Sequence, residues 1–254
     1  SDFVLGSHSV GSWLTAFAYG TSYFSAVVFI GYAGQFGWTY GVSAAWVGIG
    51  NALLGSLLAW IVLGRRTRIM TQSLGAKTMP EYFEKRWNSK GLKIAALIVF
   101  VFLIPYTASV YNGLSRLFNM AFQIESEGAY KIIIIVMALL TAIYVILGGY
   151  AATAINDFIQ GIVMLIGIAA VVICAIQNQG GLTSALAALG EIEVNGKTNT
   201  LNSVFGPDPL NLLGVVILTS LGTWGLPQMI HKFYAIKSEN DIKKGAVIST
   251  VFAL

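Results

Sequence analysis

The chain has 254 residues, of which 56% are hydrophobic and 10% charged, with a formal net charge of +4 and a mean hydropathy of +0.73. Soluble domains carry about 25% charged residues, so an ordinary water-soluble fold is excluded. The positive balance does not indicate nucleic acid, because the basic residues cluster beside apolar runs, where membrane topology accounts for them.

Apolar runs recur at 12–35, 42–63, 92–122, 131–149, 155–176 and 212–230, and a last one starts at 245 and stops with the sequence at 254. A bilayer core needs about 20 apolar residues per helix, which the first six runs meet. The expected fold is all-α and membrane-integral, in one domain. The polar opening without Met and the stop inside an apolar run give the expectation of a piece of a longer protein. If the first run leads out of the cytoplasm, the inner segments hold Arg65, Arg66, Arg68, Lys77, Lys85, Arg86, Lys90, Lys93, Lys232, Lys237, Lys243 and Lys244, 12 of the 15 basic residues, and the outer ones hold Lys131 and Lys197. That bias predicts a cytoplasmic chain start and a cytoplasmic loop 64–90.

In chain order, the first run is too long and glycine-rich for a signal peptide, and carries Gly20-Thr21-Ser22-Tyr23-Phe24-Ser25 at mid-membrane. In loop 64–90, Thr78-Met79-Pro80-Glu81 reads as a helix start and predicts a short helix over 80–87. In the third run Pro105 is expected to kink the helix, and Tyr106, Ser109 and Asn112 fall about one turn apart. A tight turn at Gly148-Gly149-Tyr150 precedes the fifth run, with Asp157 at its inner end. An ionisable group at that depth marks an ion path more often than packing; the alternative is a snorkelling or capping acid favoured by the helix dipole. Cys174 lies alone in an apolar run, so no intrachain disulfide forms. The outer loop 177–210 allows a short helix at 182–189. The sixth run contains Leu221-Gly222-Thr223-Trp224-Gly225-Leu226-Pro227.

Glycine and proline loosen a helix, and irregular backbone at membrane depth is tolerated where protein or a wet cavity receives the freed carbonyls. Two interrupted helices five apart and oppositely directed fit an inverted five-plus-five repeat with its site between the breaks. The alternative is that these glycines serve close helix packing. His8 and His231 have no partners at metal spacing and no phosphate-binding loop is present, so neither an enzyme nor a cofactor is expected.

Asp2-Phe3-Val4-Leu5-Gly6 with the helix after it, Thr78-Met79-Pro80-Glu81-Tyr82-Phe83, Gly148-Gly149-Tyr150 through Asn156-Asp157 to Gln160, and Gly225-Leu226-Pro227-Gln228 with Lys232 together resemble the sodium:solute symporter family. The resemblance spans nearly the whole chain. It implies a LeuT-type core whose first repeat is complete and whose second is truncated, with Na+ as coupling ion. By the resemblance, backbone carbonyls of Thr21 and Phe24 and the hydroxyl of Ser25 bind sodium, while Asp157 lies on the inner sodium route. Family members complete that site with hydroxyls from an eighth helix not present in this sequence.

The chain departs from the family at Tyr23, where the sodium/proline branch has Asp and the sodium/galactose branch Asn. Val27 and Val28 replace aromatic or polar substrate contacts, and Thr223 replaces Tyr, so the substrate does not carry over. Na+ is a hard cation that prefers oxygen ligands, and a helix break supplies carbonyls without added charge. The solute cavity is expected beside the ion, lined by Ser25, Val28, Ser109, Asn112, Ser220, Thr223 and Trp224. Each hydroxyl can instead back-bond to its own helix, and Trp224 is either a gate or a packed ring. The expected function is sodium-coupled import of an amino acid or other small neutral, zwitterionic or monocarboxylate solute across the cytoplasmic membrane. Its partners would be the solute, Na+ and lipid. The alternatives are a transporter-like sensor domain or a proton-coupled carrier of the same fold. The sequence leaves the oligomeric state open.

Overall fold

The computed structural model describes residues 11–24, 32–124 and 126–254. The elements among these are helices, and an isolated bridge joins Val194 and Lys197 in the irregular segment 192–208. Helix α1 spans Ser12–Tyr23. Helix α2 covers Gly34–Ser73, broken at Gly41, whose φ of 60° and ψ of −135° are not helical, with a 3-10 turn at Gly41–Ala44 and widened π turns at Asn51–Leu57 and Trp60–Gly64. Then follow α3, Met79–Trp87, α4, Lys90–Ala121, and α5, Glu127–Asn178. Helices α6, Leu182–Glu191, α7, Pro209–Gly222, α8, Pro227–Ala235, and α9, Glu239–Ala253, complete the order.

Local chemistry explains several boundaries. The Thr78 hydroxyl accepts from the Glu81 N–H and Pro80 sits in the first turn, fixing the start of α3, while Asn88 takes the left-handed conformation that ends it. Ser89, Ser126, Asp208 and Ser238 cap α4, α5, α7 and α9 in the same way.

Helix α5 has 52 residues, about 78 Å at 1.5 Å each, more than twice a bilayer core of about 30 Å. One residue resolves that excess. Gly149, at φ 57° and ψ −154°, is the non-helical point between two helical halves. That region of backbone space is open almost only to glycine. The tight turn expected at Gly148-Gly149-Tyr150 is therefore a one-residue kink, with helix resuming at once through Tyr150 and Asp157. Pro105, by contrast, lies inside α4, which stays helical from Lys90 to Ala121.

Helices α4 and α5 are apolar and largely uncovered: Phe102 is 70% and Leu147 81% exposed. Such faces are incompatible with water and suit lipid or other helices. The spans Gly34–Ser73, Lys90–Ala121 and Glu127–Asn178, and the bent pair α7–α8, are long and apolar enough to cross a membrane. The protein is an integral membrane protein.

The core forms around α1, which packs on α5, α8 and α9. Tyr19 and Tyr23 of α1 are buried in one cluster with Trp60, Met229, Phe233, Ile236 and Ile242. Small residues permit the approach: at Gly20 a side chain would strike the Phe252 ring, and at Gly161 it would meet Phe17 and Thr21. The basic segments converge at one end, where Arg65 pairs with Glu239 at 2.8 Å, Arg68 donates to the Lys237 carbonyl at 3.2 Å and Lys93 pairs with Glu84 at 2.7 Å. The loop before α7 packs at the other end, where Val42 N–H donates to the Leu201 carbonyl and Trp46 Nε1 to that of Val204.

Candidate ion and solute site at the helix breaks

Helix α1 ends at mid-sequence of its apolar run. Phe24 leaves helical geometry at φ −91° and ψ 64°, although its N–H still reaches the Gly20 carbonyl at 2.9 Å. The small residues Gly20, Thr21 and Ser22 do not themselves interrupt the helix. The Thr21 hydroxyl back-bonds to the Phe17 carbonyl at 2.9 Å. Ser25 and Val28 lie outside the described residues.

The second break is the 3-10 turn Thr223–Gly225 between α7 and α8, where the two helices are bent by 54°. Pro227 lacks an N–H, and Leu226 before it is extended at ψ 126°, as a residue preceding proline prefers. The N–H of Thr223 turns to the Leu221 carbonyl. The Thr219 carbonyl then takes a side-chain donor from the other broken helix, the Tyr23 hydroxyl, at 3.2 Å. The Thr223 hydroxyl closes on the Ser220 carbonyl at 3.0 Å.

Between the two breaks lies the π segment of α2, which sequence reasoning missed. Asn51 is 5% exposed. Its Oδ1 accepts from Tyr23 of α1 at 2.9 Å and from Ser220 of α7 at 3.1 Å. A buried amide left unbonded costs about 1–3 kcal/mol, and two donors from two helices satisfy this oxygen. The wider π turn also frees carbonyls: Gly55 accepts from the Tyr19 hydroxyl at 3.2 Å and Leu54 from Trp224 Nε1 at 3.0 Å. Ser56 and Ser249 share a buried hydrogen bond of 3.0 Å with α9. Such turns recur at functional sites. The detectable signal was Asn51 itself, a lone amide within an otherwise apolar run. The π turn has no comparable mark in sequence.

Of the expected site residues, Ser220, Thr223 and Trp224 lie at this polar seam, whereas the Thr21 side chain rests against Gly161 of α5 and the Phe24 ring packs on Tyr23 and Phe252. Ser109 and Asn112 do not lie there. Both are exposed on α4, where the Ser109 hydroxyl back-bonds to Tyr106 at 2.7 Å and Asn112 accepts from Arg116 Nε at 2.8 Å. Among the described residues no group of three or more His, Cys, Asp or Glu gathers. The oxygens offered at the seam are carbonyls and hydroxyls. An apolar groove of about 570 Å³, bounded by Trp46, Leu53, Leu213 and Val216, runs along its flank.

Asp157 lies two turns beyond the Gly149 kink and one turn before Gly161, on the part of α5 that packs against α1. Its carboxylate pairs with Lys232 of α8 at 3.3 Å, the two side chains being 24% and 9% exposed. The Lys232 ammonium also stands 5.4 Å from the centroid of the Tyr150 ring. A cavity of about 320 Å³ opens here, lined by Thr78, Phe100, Tyr150, Gln228, His231 and Lys232 among others. Asp157 is therefore not a helix cap: it lies inside α5 and pairs with a cation from the second half of the broken helix.

Helices interrupted within apolar runs, with polar groups gathered at the interruptions, are the pattern on which membrane transporters build their sites. The profile of the sodium:solute symporter family matches residues 3–254, and the chain belongs to that family. It is 34% identical over 250 residues to the sodium/proline symporter of Staphylococcus aureus, and equally to the proteins of that name from strains JH9 and JH1. Each alignment covers 96% of this chain and 46% of the relative, so the chain spans about half the length of the curated relatives it matches.

Proposed function

We propose that the chain forms part of a sodium-coupled symporter that imports a small organic solute across the cell membrane by alternating access, its basic end facing the cytoplasm. The observation that carries this reading is the meeting of the two broken helices: Tyr23, at the end of α1, caps the end of α7 at Thr219 and shares Asn51 with Ser220. Sodium would bind at the α1 break through the carbonyls of Thr21 and Phe24 with the Ser25 hydroxyl. The solute would sit beside it against Ser25, Val28, Ser220, Thr223 and Trp224. Neutral oxygens suit a hard monovalent ion, and the uncharged seam suits a neutral or zwitterionic solute. The name sodium/proline symporter carried by the relatives favours an amino acid. Sodium binding would stabilise the outward-facing form, and Asp157 would then offer a negative station on the way to the cytoplasm. Each ligand must bind one state better than the other for such coupling.

The test is uptake by the full-length protein in proteoliposomes, with labelled amino acids including proline, vitamins, sugars and monocarboxylates. Accumulation that collapses when Na+ is replaced by K+ is expected. Accumulation driven instead by a pH gradient would move the coupling ion to H+, and solute binding without accumulation would make the protein a sensor.

A further inference from the structure

We propose that Asn51 is the positioning residue through which sodium at the α1 break orders the α7 break, so that the π turn of α2 couples the two half-sites. The inference rests on the symport reading and adds to it the element that transmits the ion's effect.

The geometry is that of a two-sided clasp. The Tyr23 hydroxyl has one proton and two acceptors, Asn51 Oδ1 at 2.9 Å and the Thr219 carbonyl at 3.2 Å. Whichever acceptor it serves, it ties the last turn of α1 to something bound to the last turn of α7. Asn51 Oδ1 accepts from Ser220 at the same time, and Ser220 is fully buried. Space enforces the register. A side chain on Gly55, one turn along α2, would fall on the Tyr23 hydroxyl, and one on Gly50 would fall on Val216 and close on Ser220 Oγ. Tyr19 and Trp224 bind the next two carbonyls of the same π turn from opposite sides, Gly55 from α1 and Leu54 from the α7–α8 link. Both broken helices thus hold one short stretch of α2 by side chains, and of the α1 residues involved Tyr23 lies between the two carbonyls assigned to the ion and Tyr19 two residues before the first. An ion that fixes the Thr21 and Phe24 carbonyls fixes the orientation of the α1 end, hence the Tyr23 hydroxyl, hence Asn51 and Ser220. A contact network with two arrangements that both sites bias is what coupling between sites requires.

The experiment is hydrogen exchange on the full-length protein in detergent, with Na+ as the sole added ligand and K+ at equal ionic strength as the reference. In the wild type Na+ slows exchange at residues 15–24 and also at 219–226, the latter by at least about five-fold, the low end of ordinary coupling. In Tyr23→Phe, which keeps the ring, and in Asn51→Leu, which keeps the branching, slowing persists at 15–24 and falls to within about two-fold of none at 219–226. Slowing at both segments in both variants overturns the role of Asn51 and leaves the symport reading standing. No sodium effect at 15–24 in the wild type overturns the sodium site and this inference with it. Should Asn51→Leu not fold, Ser220→Ala, which removes the Asn51–Ser220 hydrogen bond and leaves Tyr23 on the Thr219 carbonyl, decides in its place.

Discussion

Replacing Lys232 with Met removes the cation that faces Asp157 and leaves a similar apolar stem. The ion pair is 3.3 Å long and bridges the first turns of the second half of α5 to α8, with the lysine side chain 9% and the aspartate 24% exposed. Removing one partner of a fully buried pair costs about 3–5 kcal/mol because the other charge is stranded. Asp157 keeps contact with solvent over a quarter of its side chain, which places the cost at the low end, about 3 kcal/mol. The lost contact with the Tyr150 ring adds about 0.5–1 kcal/mol. Lys232→Met with Asp157→Asn removes the stranded charge and is expected to recover most of the loss, since replacing both members of such a pair is often neutral. The assay is reversible unfolding of the full-length protein in mixed micelles, for the wild type, both single variants and the double variant, which together isolate the pairwise energy. A Lys232→Met cost below about 0.5 kcal/mol, the level of an ordinary surface substitution, refutes the reasoning. So does a double variant no more stable than Lys232→Met alone. The same set serves transport: Asp157→Asn is expected to weaken sodium dependence or release, and a sodium activation curve unchanged in that variant removes Asp157 from the ion route.

Gly149→Ala places a side chain in backbone space that excludes it, and is expected to cost about 1–3 kcal/mol, read as a lowered unfolding midpoint of the full-length protein. Thr78→Ala removes the cap of α3 and should cost about 1 kcal/mol, seen as faster amide exchange confined to 79–83. Glu239→Gln breaks the Arg65 pair, whose side chains are 70% and 48% exposed. That substitution should change stability by less than about 1 kcal/mol, and a larger loss in the same unfolding assay would mean the loop between α8 and α9 is held more tightly than its exposure indicates.

The sequence by itself determined the membrane class, because a chain with 10% charged residues and apolar runs of bilayer length has no other solvent that suits it. It also determined features written in a few adjacent residues: the Thr78-Met79-Pro80-Glu81 start of α3, and the break around Thr223–Gly225 ahead of Pro227. The family followed from short motifs for the same reason. Tertiary structure alone decided which polar groups meet. Nothing in Tyr23's own neighbourhood reveals that its hydroxyl reaches Asn51, 28 residues on, and the carbonyl of Thr219, 196 residues on. Asp157 and Lys232 are 75 residues apart, and each alone reads as an inner-end charge. Ser109 and Asn112 have the right chemistry for a solute site but sit on an exposed face of α4, since their spacing fixes a shared helix face and not what that face meets. Helical periodicity and capping are local, so the sequence spells them out. The pairing of buried polar groups depends on which helices pack together and where the widened turn of α2 leaves its carbonyls, and that is settled only when α1, α2 and α7 come together.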